Sequence, residues 1–186
     1  MKKLYTSLFV LAALSGAAPT HAEQHTLSLG YAQSKVQDFK NIRGVNAKYR
    51  YEYDSALGII SSFTYMNGKE DYHFSNAFNT VSRSADLKYY SLAVGPAYRF
   101  NQYISLYGLL GVNYNKSHIE KMWQNSSLRY QETSGNNKAS FMYGLGIQIN
   151  PLDSLAIDIG YEGSNLDDAG NHLSINGFNI GLGYRF

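Results

Sequence analysis

In the stretch Phe178-Asn-Ile-Gly-Leu-Gly-Tyr-Arg-Phe186, large apolar residues alternate with small or polar ones. Phe178, Ile180, Leu182, Tyr184 and Phe186 share one face, and Asn179, Gly181, Gly183 and Arg185 the other. A repeat of two residues is the period of an extended strand. Leu155, Ile157, Ile159 and Tyr161 repeat the pattern against Ala156, Asp158, Gly160 and Glu162, as do Phe141, Tyr143, Leu145, Ile147 and Ile149 against Met142, Gly144, Gly146 and Gln148. Each run is about ten residues long, the length a tilted strand needs to cross a bilayer.

Toward the N-terminus the alternation continues through Ile104–Tyr114, Leu92–Phe100, Leu57–Tyr65, Tyr49–Tyr53 and Leu27–Tyr31, which predicts eight strands. Their connections alternate in length. Asp54-Ser55, Asn101-Gln102 and Asn150-Pro-Leu-Asp153 are short and turn-like, as adjacent antiparallel strands require. Residues 33–43, 67–86, 115–138 and 164–174 are rich in Asn, Ser, Lys, Asp and Gly and are expected to be long solvated loops. An even strand count with alternating short and long connections predicts an all-β, up-and-down antiparallel transmembrane barrel, with short periplasmic turns, long extracellular loops and both termini periplasmic.

Composition supports this class by exclusion. The 186 residues hold 16 Lys plus Arg, 14 Asp plus Glu, 17 Gly, 17 Tyr and no Cys, so thiol and Cys-ligated metal chemistry is ruled out. Lys2 and Lys3 precede the apolar run Leu4–Leu14, and small residues follow with Thr20 and Ala22 at an A-x-A-like site. Residues 1–22 are therefore expected to be a cleaved signal peptide, leaving residues 23–186 as one barrel domain. Losing Lys2 and Lys3 lowers the 16 basic residues to 14, equal to the 14 acidic ones. That neutral balance argues against a nucleic-acid partner. No later apolar run approaches the roughly 20 residues of a membrane-spanning helix.

A soluble periplasmic sandwich or lipocalin-like barrel would also alternate, but with its apolar side chains inward. Here the second face carries Gly, Ser, Asn and mid-strand charges, while Tyr and Phe ring the apolar face near the strand ends. Lipid outside and a polar lumen inside fit that distribution.

Two segments, Gly44-Val-Asn-Ala-Lys-Tyr-Arg-Tyr-Glu52 and Phe178–Phe186, resemble the two signatures of the Ail, OmpX, PagC, Rck and Lom family. The second matches throughout; the first departs only at Ala47, where the family usually has a larger aliphatic residue. Gly30–Gly44, Gly160-Tyr-Glu-Gly-Ser164 and Ile175-Asn-Gly-Phe178 look closest to the PagC branch. The resemblance spans all eight strands and fades in residues 67–86 and 115–138. It implies an eight-stranded enterobacterial outer-membrane protein linked to virulence, through adhesion, invasion, complement resistance or survival in macrophages. Implied partners are the outer membrane with its lipopolysaccharide, the assembly machinery, and host complement regulators or extracellular matrix. The family is not known for catalysis, and no cofactor is implied.

Lys48, Arg50, Glu52, Arg99, Asp158, Glu162 and Arg185 all have lumen-facing parity. An eight-stranded barrel is just wide enough to be filled by side chains, and an unpaired buried charge is costly, so these groups are expected to pair across the lumen. An ion pathway would need the continuous water of much larger barrels, so conductance is expected to be negligible. Hydrolysis would need a His beside a nucleophile, yet His25 lies at a strand end and His73, His118 and His172 fall in three separate loops. Those spacings suit no metal, and Asp167-Asp168 alone supplies too few oxygens for calcium. Eight-stranded lipid A acyltransferases begin with an amphipathic helix that this chain lacks.

Recognition candidates are chosen for charge and aromatic character: Lys69, Tyr72, Phe74 and Phe78 in the second loop, and Lys116, Lys121, Trp123 and Arg129 in the third. The alternation Phe178, Ile180, Leu182, Tyr184, Phe186 resembles the signal by which the assembly machinery recognises its clients. The expected function is recognition of host or envelope molecules by loops on a rigid scaffold. The rival is a structural role in lipopolysaccharide packing, vesicle release or barrier strength.

Overall fold

A computed structural model describes residues 24–37, 41–53, 56–75, 79–125, 128–168 and 171–186. The expected signal peptide lies outside them. All regular structure among the described residues is strand: β1 (His25–Val36), β2 (Ile42–Glu52), β3 (Leu57–Ser75), β4 (Asn79–Arg99), β5 (Ile104–Asn125), β6 (Leu128–Leu152), β7 (Leu155–Asp168) and β8 (Asn171–Arg185). They pair consecutively and antiparallel, and β8 closes on β1.

Burial follows the period of two. Leu29, Val45, Phe63, Leu92, Val112, Leu145, Ile159 and Leu182 are exposed, whereas Lys48, Arg50, Ser62, Asn113, Gln148 and Asp158 are buried. That inversion of a soluble protein is what hydrocarbon outside demands, and closure leaves no unpaired strand edge at membrane depth. At the β4–β5 turn the Asn101 side-chain oxygen accepts from the backbone N–H groups of Tyr103 and Ile104, at 2.8 and 2.9 Å, a local bond that favours the reversal.

The loop assignments need correction. Most of residues 67–86 and 115–138 lie in strands: β3 runs to Ser75, β4 starts at Asn79, β5 runs to Asn125 and β6 starts at Leu128. The segments 33–43 and 164–174 likewise hold the ends of β1, β2, β7 and β8. β3 to β6 span 19, 21, 22 and 25 residues, about twice what a crossing needs. Polar sequence is compatible with strand because cross-strand partners satisfy the backbone whatever the side chains are.

The barrel wall parts at two seams. The pairing of β2 with β3 ends at Arg43↔Asn67, and that of β6 with β7 ends at Met142↔Ser164. Beyond those points β3 to β6 continue as a four-stranded sheet, paired from Gly68↔Leu87 to Ser75↔Thr80 and out to Asn125↔Leu128. Among the described residues, Lys69–Ser75 and Leu128–Phe141 form its open edges. Gly68–Ser75 alone is about 25 Å of strand.

Candidate functional site

Two regions are rich in charged residues, the lumen and the protruding sheet. In the lumen, period-two alternation aims Lys48 of β2 and Asp158 of β7 inward from strands separated by β1 and β8, where they form an ion pair with both side chains about 1% exposed. Tyr107 of β5 donates its hydroxyl to the same Asp158 oxygen at 3.0 Å, and the Lys48 ammonium lies 5.4 Å from the Tyr107 ring centroid. A Cβ at Gly146 would overlap the Tyr107 hydroxyl. Glycine there makes room for the tyrosine to pass over β6 and reach Asp158 on β7.

Toward the periplasmic end Glu52 gathers three guanidinium groups. It pairs with Arg99, with Arg50 at 2.9 Å and with Arg185 at 3.0 Å. Arg50 also donates to the Gln148 side-chain oxygen at 3.0 Å. On the extracellular side of the Lys48–Asp158 pair, Glu162 accepts from the hydroxyls of Thr64 at 2.8 Å and Ser91 at 3.3 Å, and from the amides of Asn46 and Asn179 at 3.4 Å each. The seven charges thus fall into two neighbouring groups, Glu52 with Arg50, Arg99 and Arg185, and Lys48 with Asp158, which Asn179 links to Glu162.

Above this network the lumen turns apolar. Ala32, Val36, Ile42, Met66, Leu87, Tyr89 and Ile175 form a buried cluster supplied by five strands. Sequence reading missed this cap because Val36 and Ile42 lie in a segment taken as loop, while Met66, Leu87, Tyr89 and Ile175 fall just outside the recognised apolar runs; the signal was the lumen parity of Val36, Ile42, Met66, Leu87 and Ile175, two-residue steps from recognised strand positions. A charged lower lumen under an apolar cap is a packed interior.

The sheet presents its charges to water. Lys69 meets Asp71 at 3.7 Å with side chains 62% and 48% exposed, and Lys116 is exposed on β5. Tyr72 and Phe74 sit on β3, Lys121 and Trp123 on β5 and Arg129 on β6, but their side chains, and all of Phe78, lie outside the described residues. Register places Tyr72 opposite Arg83 and brings β5 and β6 together at Trp123↔Tyr130 and Gln124↔Arg129. His118 is exposed 3.3 Å from Glu120; His25 lies at the periplasmic end, bonded to the Tyr49 hydroxyl at 2.7 Å. The side chains of His73 and His172 lie outside the described residues. Among the described residues no group of three or more potential metal ligands occurs.

The Phe178–Phe186 face is turned to lipid: Phe178, Ile180, Leu182 and Tyr184 are exposed on the outer wall. Phe186 is tied in, with reciprocal backbone bonds to His25 at 2.9 and 2.8 Å and its ring stacked 5.7 Å from His25 and 6.1 Å from Tyr184. It therefore fastens the seam at which β8 closes on β1.

Comparison with known proteins agrees with this architecture. The family described as enterobacterial Ail/Lom protein matches residues 1–186. The chain is 44% identical to the virulence membrane protein PagC of Salmonella typhimurium, over 89% of this chain and 88% of that one. It is 37% identical to the attachment invasion locus protein of Yersinia enterocolitica over the whole of both chains. Its structure resembles Ail of Yersinia pestis, solved with the heparin analogue sucrose octasulfate, with a TM-score of 0.70, 37% identity and coverage of 89% and 99%. The chain belongs to the enterobacterial Ail/Lom family of virulence-associated outer-membrane β-barrels.

Proposed function

We propose that this protein is a non-catalytic recognition protein of the bacterial surface, whose protruding sheet binds host molecules and sulfated glycans first among them. The observation that carries this reading is the β3–β6 sheet, which extends past the barrel with two open edges. An unpaired edge offers a row of backbone donors and acceptors to an extended partner, and exposed cations such as Lys69 and Lys116 offer complementary charge to sulfate. The relative from Yersinia pestis, solved with a heparin analogue, supports that ligand class. Lys69, Tyr72, Phe74, Phe78, Lys116, Lys121, Trp123 and Arg129 are the recognition set.

In a host this binding serves adhesion or invasion and, by recruiting complement regulators, survival in serum. The test compares the intact protein with one whose residues 69–86 and 117–138 are replaced by short turns, at matched surface levels. Loss of immobilised-heparin binding and of protection in active serum, with the barrel still assembled, is expected. Retention of both by the trimmed barrel overturns the reading and moves the function to the membrane-embedded wall.

A further inference from the structure

The group of charges around Glu52 is unbalanced. Three guanidinium groups surround one carboxylate, so two positive charges are left over in an interior where the Arg50 side chain is about 1% exposed. Both Glu52 oxygens are already taken: Oε1 faces Arg99 and Arg50, and Oε2 accepts from Arg99 at 3.2 Å and from Arg185 at 3.0 Å. The other two lumen carboxylates are engaged elsewhere. Asp158 pairs with Lys48, and Glu162 lies on the far side of that pair among hydroxyls and amides. A buried charge without a counter-charge is costly, so the excess calls for a counter-ion from outside the chain.

A second observation is independent of this balance. The Arg50 Nε–H, the Gln148 Nε2 amide and the Ser105 hydroxyl are buried and have no hydrogen-bond partner among the described residues. They stand together. Arg50 of β2 reaches across to Gln148 of β6 on the opposite wall, its Nη1 donating to Oε1 at 3.0 Å, so the unpartnered nitrogen of each side chain lies one covalent fork away from that bond. Ser105 is the direct cross-strand partner of Gln148 on one side and of Arg99 on the other, and inward parity turns it to the same level of the lumen. The two nitrogens can only donate and the hydroxyl can donate as well, so one negatively charged acceptor completes all three. Asp158, the cross-strand partner of Gln148, also has an oxygen without a partner; it repels an anion and bounds the site toward Lys48.

We propose that Arg50, Gln148 and Ser105 bind a small inorganic anion, of the size and charge of chloride, in the periplasmic half of the lumen. The interior of an eight-stranded barrel is filled by side chains, which favours a monatomic anion over a phosphate or an organic carboxylate. Arg99 and Arg185, with side chains 7% and 12% exposed, give entry from the periplasmic mouth. The anion accepts the charge-assisted hydrogen bonds that Glu52 has no free oxygen to accept, and so couples β2, β5 and β6. The site lies at the end of the molecule away from the protruding sheet and does not depend on the recognition reading above.

The test uses the full barrel folded in a non-ionic detergent, with sodium chloride exchanged for sodium gluconate at constant ionic strength. Screening is then equal, and gluconate is too large for the lumen. The urea midpoint for loss of the heat-modifiable form is expected to rise saturably with chloride, and bromide should substitute for it. Ser105→Ala should raise the chloride concentration for half the effect by about tenfold, the worth of one hydrogen bond to a charged group. Gln148→Glu keeps an acceptor for Arg50 and supplies a fixed negative charge in the anion's place; it should fold and lose the response, whereas Lys69→Ala on the sheet should keep it. Independently of any variant, crystals soaked in bromide should show anomalous scattering beside Arg50 and Gln148. A midpoint indifferent to the exchange, as when buried water alone meets the three donors, a full response in Gln148→Glu, or bromide-soaked crystals with no anomalous peak in the lumen overturns the proposal.

Discussion

Lys48 meets Asp158 inside the barrel with each side chain about 1% exposed, whereas Lys69 meets Asp71 on the protruding sheet with side chains 62% and 48% exposed. The residue types are the same and the consequences differ. In the lumen, removing one partner leaves a desolvated charge behind, which costs about 3–5 kcal/mol. On the sheet, water solvates whatever remains, and such a pair is worth about 0–1 kcal/mol. The charges of the lumen thus hold one closed barrel together, while those of the sheet stand in water.

The most severe break of this contrast is Glu52→Ala, which strips the shared carboxylate from Arg50, Arg99 and Arg185. It is expected to destabilise the barrel by about 3–5 kcal/mol, read as a lower urea midpoint for loss of the heat-modifiable form. Asp158→Ala should cost a similar amount by stranding Lys48, while Lys48→Met with Asp158→Leu recovers most of it; a double variant no better than the single one would mean that the pair is not what the lumen depends on. Next comes Phe186→Ala, which removes the stacked rings at the closing seam. A loss of about 1–2 kcal/mol is expected, with less assembled, protease-resistant protein in the outer membrane. The smallest effect sharpens the other side: Lys69→Ala should change stability by less than about 1 kcal/mol and by less still at high salt. A loss comparable to that of Glu52→Ala would erase the distinction between the two regions.

How far these regions were legible in the sequence differs between them for a physical reason. Lys48, Arg50, Glu52, Arg99, Asp158, Glu162 and Arg185 share the parity of Asn179 and Gly181, and parity alone sorts them inward. Choice of partner is another matter. Glu52 takes three arginines, while Glu162 is held by hydroxyls and amides from β2, β3, β4 and β8. Those residues are up to 116 positions apart in the chain, a separation that no local pattern encodes. The outer parts of β3 to β6 were harder to see. Segments such as Asn67-Gly-Lys-Glu-Asp71 and Thr133-Ser-Gly-Asn-Asn137 look like loop by composition, yet each is paired along one side with a neighbouring strand, and water can serve the other side. Hydropathy reports contact with lipid, and beyond the lipid it no longer distinguishes strand from loop.

By itself, then, the sequence determined the number of membrane crossings, the face each residue takes and the closed all-β architecture. These follow from a two-residue period and from the need to satisfy every backbone group in hydrocarbon. Tertiary structure alone decided where the strands end, which charges meet across the lumen, and that an apolar cluster caps it. Each of these is a matter of register between segments distant in the chain. Register is set by pairing over the whole sheet, so only the closed barrel displays it.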